Sequence, residues 1–154
     1  MQQLTSTKAK IIALEIICFL FILLFTYAAA IKLLDRELFT VQMGLSPLLT
    51  DFAEILAWAV PLTELLIAAM LAMARSRLAG LYASFGLMVM FTVYIIIILQ
   101  SSEEIPCACG GILESMGWTE HLIFNIGFVI LGLGGILLHT RLAESNRLST
   151  AYRR

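Results

Sequence analysis

Charge is scarce in this sequence: Asp, Glu, Lys and Arg make up 14% of its 154 residues, roughly half the share usual in a soluble globular domain. That scarcity excludes an ordinary water-soluble fold, and a hydrophobic content of 60% takes its place. Basic stretches interleaved with aromatics are also missing, so nucleic acid is not an expected partner. The apolar runs lack the strict alternation of barrel strands, which excludes a membrane β-barrel. No internal repeat or low-complexity segment interrupts the chain.

Four long apolar runs remain, at about Ile11–Leu34, Glu54–Ala74, Ala79–Leu99 and His121–His139. At about 1.5 Å per helical residue, each is long enough to cross a hydrocarbon core of roughly 30 Å. Backbone N–H and C=O groups in lipid must pair within their own segment, so helices are the expected form. The chain therefore reads as an all-α membrane protein, a four-transmembrane-helix bundle. Residues 1–154 make a single integral membrane domain, with spans at about 11–34, 54–74, 79–99 and 121–139 and a polar loop at 100–120. The first run is too long for a signal peptide and no polar mature domain follows a cleavage site, so it is expected to be retained.

Positive charge sets the orientation. Lys8, Lys10, Arg75, Arg77, Arg141, Arg147, Arg153 and Arg154 fall on one side, and only Lys32 and Arg36 on the other. Both termini are then cytoplasmic (N-in/C-in). The 100–120 loop, which holds no Lys or Arg, faces outward, toward the periplasm of a bacterial inner membrane.

Between the spans, Thr5-Ser6-Thr7 are plausible caps for the first helix. The first loop, Asp35–Asp51, mixes Phe39, Leu45, Leu48 and Leu49 with Pro47, a pattern suited to a segment lying along the interface. Arg75-Ser76-Arg77 is a tight connection that makes spans two and three an antiparallel hairpin. Ala28–Ala30, Ala68-Ala69, Gly80 with Ser84, and Gly127, Gly132, Gly134 and Gly135 could let helices approach closely. The arginine-bearing tail after Thr140 reads as a frayed or surface-lying extension.

Cys107-Ala108-Cys109-Gly110 is the motif that suggests chemistry. Residues two apart in an extended or turn-like chain lie near the Cα separation a disulfide needs, so the pair can close on itself. Such a small, constrained ring should be more reducible than a structural bridge closing a long loop. Pro106 stiffens the approach and Gly110-Gly111 frees the backbone behind it. Glu103 and Glu104 would disfavour a thiolate, whereas the start of the fourth span and Lys32 would favour it. A structural disulfide, or two bonds to a partner, also suits an extracytoplasmic loop. Metal binding by the pair with His121 leaves a tetrahedral shell one ligand short, so no metal is expected. Cys18 lies on the order of 20 Å from the outer surface and reads as a small buried hydrophobe.

Glu64, three residues after Pro61 near the middle of the second span, is costly at that depth and by default suggests function. Pro61 should kink this helix. Glu64 either carries a proton that accompanies thiol chemistry or ties helices together through a tyrosine or threonine. Glu15 is close enough to the cytoplasmic end to reach water. Lys32 is either an interface lysine snorkelling outward or an ammonium that stabilises a thiolate or a quinone oxygen. Trp118 suits an interfacial anchor and His121 a proton shuttle near the thiols. Asn125, about 6 Å deeper, needs a partner inside the bundle.

The stretch Cys107-Ala-Cys-Gly-Gly-Ile-Leu-Glu-Ser-Met-Gly-Trp118-Thr-Glu-His121-Leu-Ile-Phe-Asn125 resembles the MauE/DoxX-like redox-associated membrane proteins, a family named after the methylamine utilisation protein MauE. Ala28-Ala29-Ala30-Ile31-Lys32-Leu33-Leu34-Asp35 and Pro61-Leu62-Thr63-Glu64 extend the resemblance over essentially the whole chain. It implies a four-helix inner-membrane protein linked to disulfide formation or thiol handling in the periplasm, for maturing or exporting a partner. By position, Cys107 and Cys109 would be the redox pair, with Glu64, Lys32 and His121 beside it and Trp118 and Asn125 supporting a redox cofactor. Family members often carry an aromatic where this chain has Gly111.

The leading expectation is thus a thiol–disulfide oxidoreductase in the lipid bilayer, exchanging electrons with a periplasmic thiol/disulfide protein. Its pair would be reoxidised by a quinone or by another redox protein. The competing expectation is a non-catalytic membrane subunit or chaperone of an export or maturation system, with the bond merely stiffening its loop.

Overall fold

The computed structural model describes residues 2–44, 50–101 and 117–152. Among them are five α-helices and one short 3-10 turn, with no strand: α1 (Gln2–Leu34), α2 (Arg36–Gly44), the turn Thr50–Phe52, α3 (Ala53–Ala72), α4 (Arg77–Ser101) and α5 (Trp118–Tyr152). Four of these helices, α1, α3, α4 and α5, are long and apolar enough to cross a membrane. The protein is an all-α, four-helix membrane bundle. Its main contacts run round a ring, α1 on α3, α3 on α4, α4 on α5 and α5 on α1.

Two helices exceed the expected spans. α3 has 20 residues, about 30 Å, which matches a hydrocarbon core. α1 has 33 and α5 has 35, so each is on the order of 20 Å longer than that core. Thr5-Ser6-Thr7 lie within α1 and do not cap it. The tail after Thr140 is not frayed but continues α5 as far as Tyr152. No Gly or Pro follows Thr140 to stop the helix.

The connection between α3 and α4 is built from its own polar groups. Ser76 Oγ donates to the Met70 carbonyl at 2.9 Å, Arg77 Nε donates to the Leu71 carbonyl at 3.4 Å, and the Ser76 carbonyl accepts the Gly80 N–H at 2.8 Å. Carbonyls left without partners at the end of α3 are thereby satisfied. Arg77 also reaches Glu15 of α1 at 2.6 Å, so this end carries an exposed ion pair. Close by, the helices meet tightly. A Cβ on Gly80 would lie 3.1 Å from the Leu71 backbone nitrogen, and one on Gly135 would lie 3.0 Å from Leu81 Cδ2. Gly127 and Gly134 have nothing within 4 Å of that position, so only some of the small residues serve close approach. Phe21, Phe25, Leu71 and Leu81 fill the core between these contacts. Phe21 meets Phe128 edge-on with centroids 5.3 Å apart. Cys18 is buried in this core, 2% exposed, with a free thiol.

The chain turns at Asp35, and α2 folds back over the opposite end. Its Phe39 and Met43 bury against Ala53 and Ala57 of α3, with Trp118 of α5 alongside. The guanidinium of Arg36 sits over the Trp58 ring, 5.2 Å from its centroid. The first-loop segment expected along the interface is thus, in its first half, a short helix closing the bundle. Pro47, Leu45, Leu48 and Leu49 lie outside the described residues.

Candidate functional site

Beneath α2 the bundle is not filled. A cavity of about 220 Å³ lies between all four spanning helices, walled mainly by aromatic, methionine and aliphatic side chains. Four of the residues singled out from the sequence line it: Lys32 of α1, and Trp118, His121 and Asn125 of α5. Helix periodicity explains the last set, because 118, 121 and 125 recur at three and four residues and share one face.

Glu64 stands behind Lys32. Lys32 Nζ donates to Glu64 Oε1 at 2.8 Å and to the Ala28 carbonyl at 3.4 Å. It also lies 5.9 Å from the centroid of the Phe39 ring. The glutamate side chain is 1% exposed and the lysine side chain 16%. Lys32 therefore points into the bundle and does not snorkel outward. Likewise, the partner of Glu64 is a lysine 32 residues away rather than a tyrosine or threonine. Such a pair is retained only where each charge answers the other, since either one alone would be buried without compensation. Glu64 Oε2 has no hydrogen-bond partner among the described residues. Pro61, one turn earlier on α3, is buried inside a continuous helix.

The α5 residues are also more deeply placed than their sequence position suggests. His121 is 9% exposed and Asn125 2%. Asn125 Nδ2 donates to the His121 carbonyl at 3.0 Å, so its partner is the preceding turn of its own helix and not a neighbouring span. This leaves the Asn125 carboxamide oxygen and one N–H for other groups. Trp118 stacks on His121 with centroids 6.4 Å apart and an interplanar angle of 26°. It also packs against Phe39 and Met43 of α2.

Sequence reasoning missed the rest of the wall. Tyr27, Phe39, Met43, Tyr94 and Phe124 line the cavity. A helical repeat was available (Ala28 with Lys32, Phe91 with Tyr94 and Ile95), but the same repeat marks any buried face. Cys107 and Cys109 lie outside the described residues. The structure brings Lys32, Glu64, Trp118, His121 and Asn125 together.

An apolar helical bundle with an internal ion pair and a polar-edged cavity defines a multi-pass membrane protein with a cavity between its spans. The chain belongs to the MauE family: the family model described as methylamine utilisation protein MauE matches residues 10–138. Neither the curated proteins nor the solved structures give a match.

Proposed function

We propose that the protein is a thiol–disulfide redox protein of the bacterial inner membrane, with both termini cytoplasmic and Cys107 and Cys109 on the periplasmic side. The observation that carries this reading is the gathering of Lys32, Trp118, His121 and Asn125 around a cavity toward one end of the bundle, with Glu64, midway along α3, bonded to Lys32. That is also the end where α4 stops at Ser101 and α5 begins at Trp118. Cys107 follows Ser101 by six residues and Cys109 precedes Trp118 by nine. Chain length alone tethers the pair to this end, within about 20–30 Å of those helix termini. Membership of the MauE family and the excess of Lys and Arg at the opposite end support the same arrangement.

The exchange runs through a mixed disulfide. A thiolate of the periplasmic partner attacks one sulfur of the oxidised Cys107–Cys109 bond, and the other sulfur leaves as thiolate. The partner's second thiolate then attacks the mixed disulfide, which gives the partner a disulfide and this chain a dithiol. Two electrons and two protons have moved to the pair. An acceptor, a quinone or a second redox protein, must take them to restore the disulfide.

Trapping tests the reading. With one cysteine replaced, Cys109→Ser or Cys107→Ser, the remaining thiolate should attack the disulfide form of the periplasmic partner and accumulate a mixed disulfide that no second thiol of this chain can resolve; with both replaced, exchange should be lost. Unchanged oxidation of partner thiols in the double variant would refute the redox reading and leave the cysteines a structural or subunit role.

A further inference from the structure

We infer that the cavity under α2 is a binding site for the ring of a lipid-soluble 1,4-quinone, the acceptor that takes electrons from the Cys107/Cys109 dithiol. The inference rests on the thiol reading above for its redox step, but the binding site stands on its own geometry.

Size comes first. A cavity of about 150 Å³ with apolar walls is enough to hold benzene, and this one is about 220 Å³, which leaves space for carbonyl and ring substituents. The walls then choose the chemistry. Met88, Phe91 and Phe124 offer flat and polarisable surfaces to a ring. Lys32 offers a hydrogen bond: an ammonium has three N–H donors, and among the described residues two are engaged, by Glu64 and by the Ala28 carbonyl. His121 and Asn125, buried on the α5 wall, supply further polar atoms. A ligand with an oxygen at each end of a ring can meet both walls.

Charge excludes the obvious alternative. A lone lysine in an apolar cavity would suit a phosphate or carboxylate, but Glu64 already neutralises Lys32 at 2.8 Å. The pair presents a directed N–H without net positive charge, which favours a neutral carbonyl oxygen over an anion. Access also fits a bilayer solute. Tyr27 and Met90 line the cavity and are 37% and 55% exposed, and both lie on helices long and apolar enough to cross a membrane.

The redox step balances without a further reagent. The Cys107/Cys109 dithiol closes to a disulfide, giving up two electrons and two protons, and the quinone departs as the quinol. Lys32 holds the carbonyl oxygen on which negative charge grows, and Glu64 keeps that ammonium in place; Glu64 is a positioning residue.

The test uses the full chain in lipid nanodiscs, carrying Trp58→Phe so that Trp118 is the only tryptophan. A one-ring and a fused-ring 1,4-quinone with short tails are titrated while Trp118 fluorescence is read. Saturable quenching is expected, unchanged in Cys107→Ser/Cys109→Ser and at least tenfold weaker in Lys32→Met, the loss of one charge-assisted hydrogen bond. Because Lys32→Met alone strands Glu64, the double variant Lys32→Met/Glu64→Leu, which removes both charges, must show the same weakening. Quenching that rises linearly with quinone in the lipid, or binding unaltered in that double variant, would overturn the site. Saturable binding with no quinol formed by the dithiol form would overturn the electron-acceptor role. Absent binding alongside trapped mixed disulfides would overturn this inference and leave the thiol reading standing; absent mixed disulfides with quinone still bound would overturn the thiol reading together with the electron-acceptor role and leave only the binding site standing.

Discussion

Toward the α3–α4 connection the helices of this bundle close on one another, whereas toward the start of α5 they stand apart around a void. At the first end, Gly80 and Gly135 bring backbones within reach of Leu71 and Leu81, and large side chains fill the remainder. At the second end, a buried ion pair, an imidazole and a carboxamide edge a cavity of about 220 Å³. Lipid tails are as apolar as the side chains, so helices in a bilayer associate largely through close fit and interhelical polar contacts. The filled end uses the first of these. The open end gives up close fit and has one strong polar contact in exchange, which is the arrangement expected where a bundle must hold together and still admit a ligand.

Mutations at the two ends should therefore behave differently. The largest effect is expected for Glu64→Leu, which leaves the Lys32 ammonium buried with only the Ala28 carbonyl. Breaking such a pair from one side should cost about 3–5 kcal/mol, read as a lower unfolding temperature in nanodiscs. Lys32→Met/Glu64→Leu should recover most of that loss, because no unpaired charge remains. If the single and double variants melt alike, the pair is not what joins α1 to α3 at this end.

Next comes the filled end. Leu81→Ala removes a fully buried side chain from the contact with Gly135 and should cost about 2–5 kcal/mol. Gly80→Val should also destabilise, since its Cβ would press on the Leu71 backbone, which cannot swing aside as a side-chain tip can. The cavity wall predicts the opposite sign. Val60→Leu points extra volume at space already empty and should leave stability unchanged or raise it by about 1 kcal/mol. It should also weaken quinone binding. Equal destabilisation by Gly80→Val and Val60→Leu would mean the two ends are filled alike. The smallest effect is expected for Glu15→Gln. Its ion pair with Arg77 is exposed on the glutamate side, so removal should shift stability by less than about 1 kcal/mol, and less still in high salt.

How much of this could be read from the sequence differs along the chain. The four spans and the α3–α4 hairpin were legible because apolar length and a two-arginine connection carry a direct physical meaning. The ends of α1 and α5 were not, because a polar helix extension looks like any polar tail until nothing stops it. For the site, Glu64, Lys32, Trp118, His121 and Asn125 were each visible as polar or amphipathic residues in costly places. Their mutual arrangement was not. Lys32 at the end of a span is equally compatible with reaching out to water or turning in to a carboxylate, and only the contact between α1 and α3 decides. Nor does a helical repeat of Phe, Tyr and Met reveal whether it faces another helix or an empty space. Trp118 reads as an anchor in the sequence because its position along α5 sets its depth, while its direction depends on α2, at whose fold the loop composition only hints.

The most direct test of the account is the redox state of the peptide that holds Cys107 and Cys109, followed by mass spectrometry while the full chain in lipid is equilibrated with thiol/disulfide buffers of graded potential. The account predicts a bond between the two cysteines that opens and closes in the range where periplasmic carriers work. Two thiols that never join, or a bond that persists under strong reductant, would contradict it.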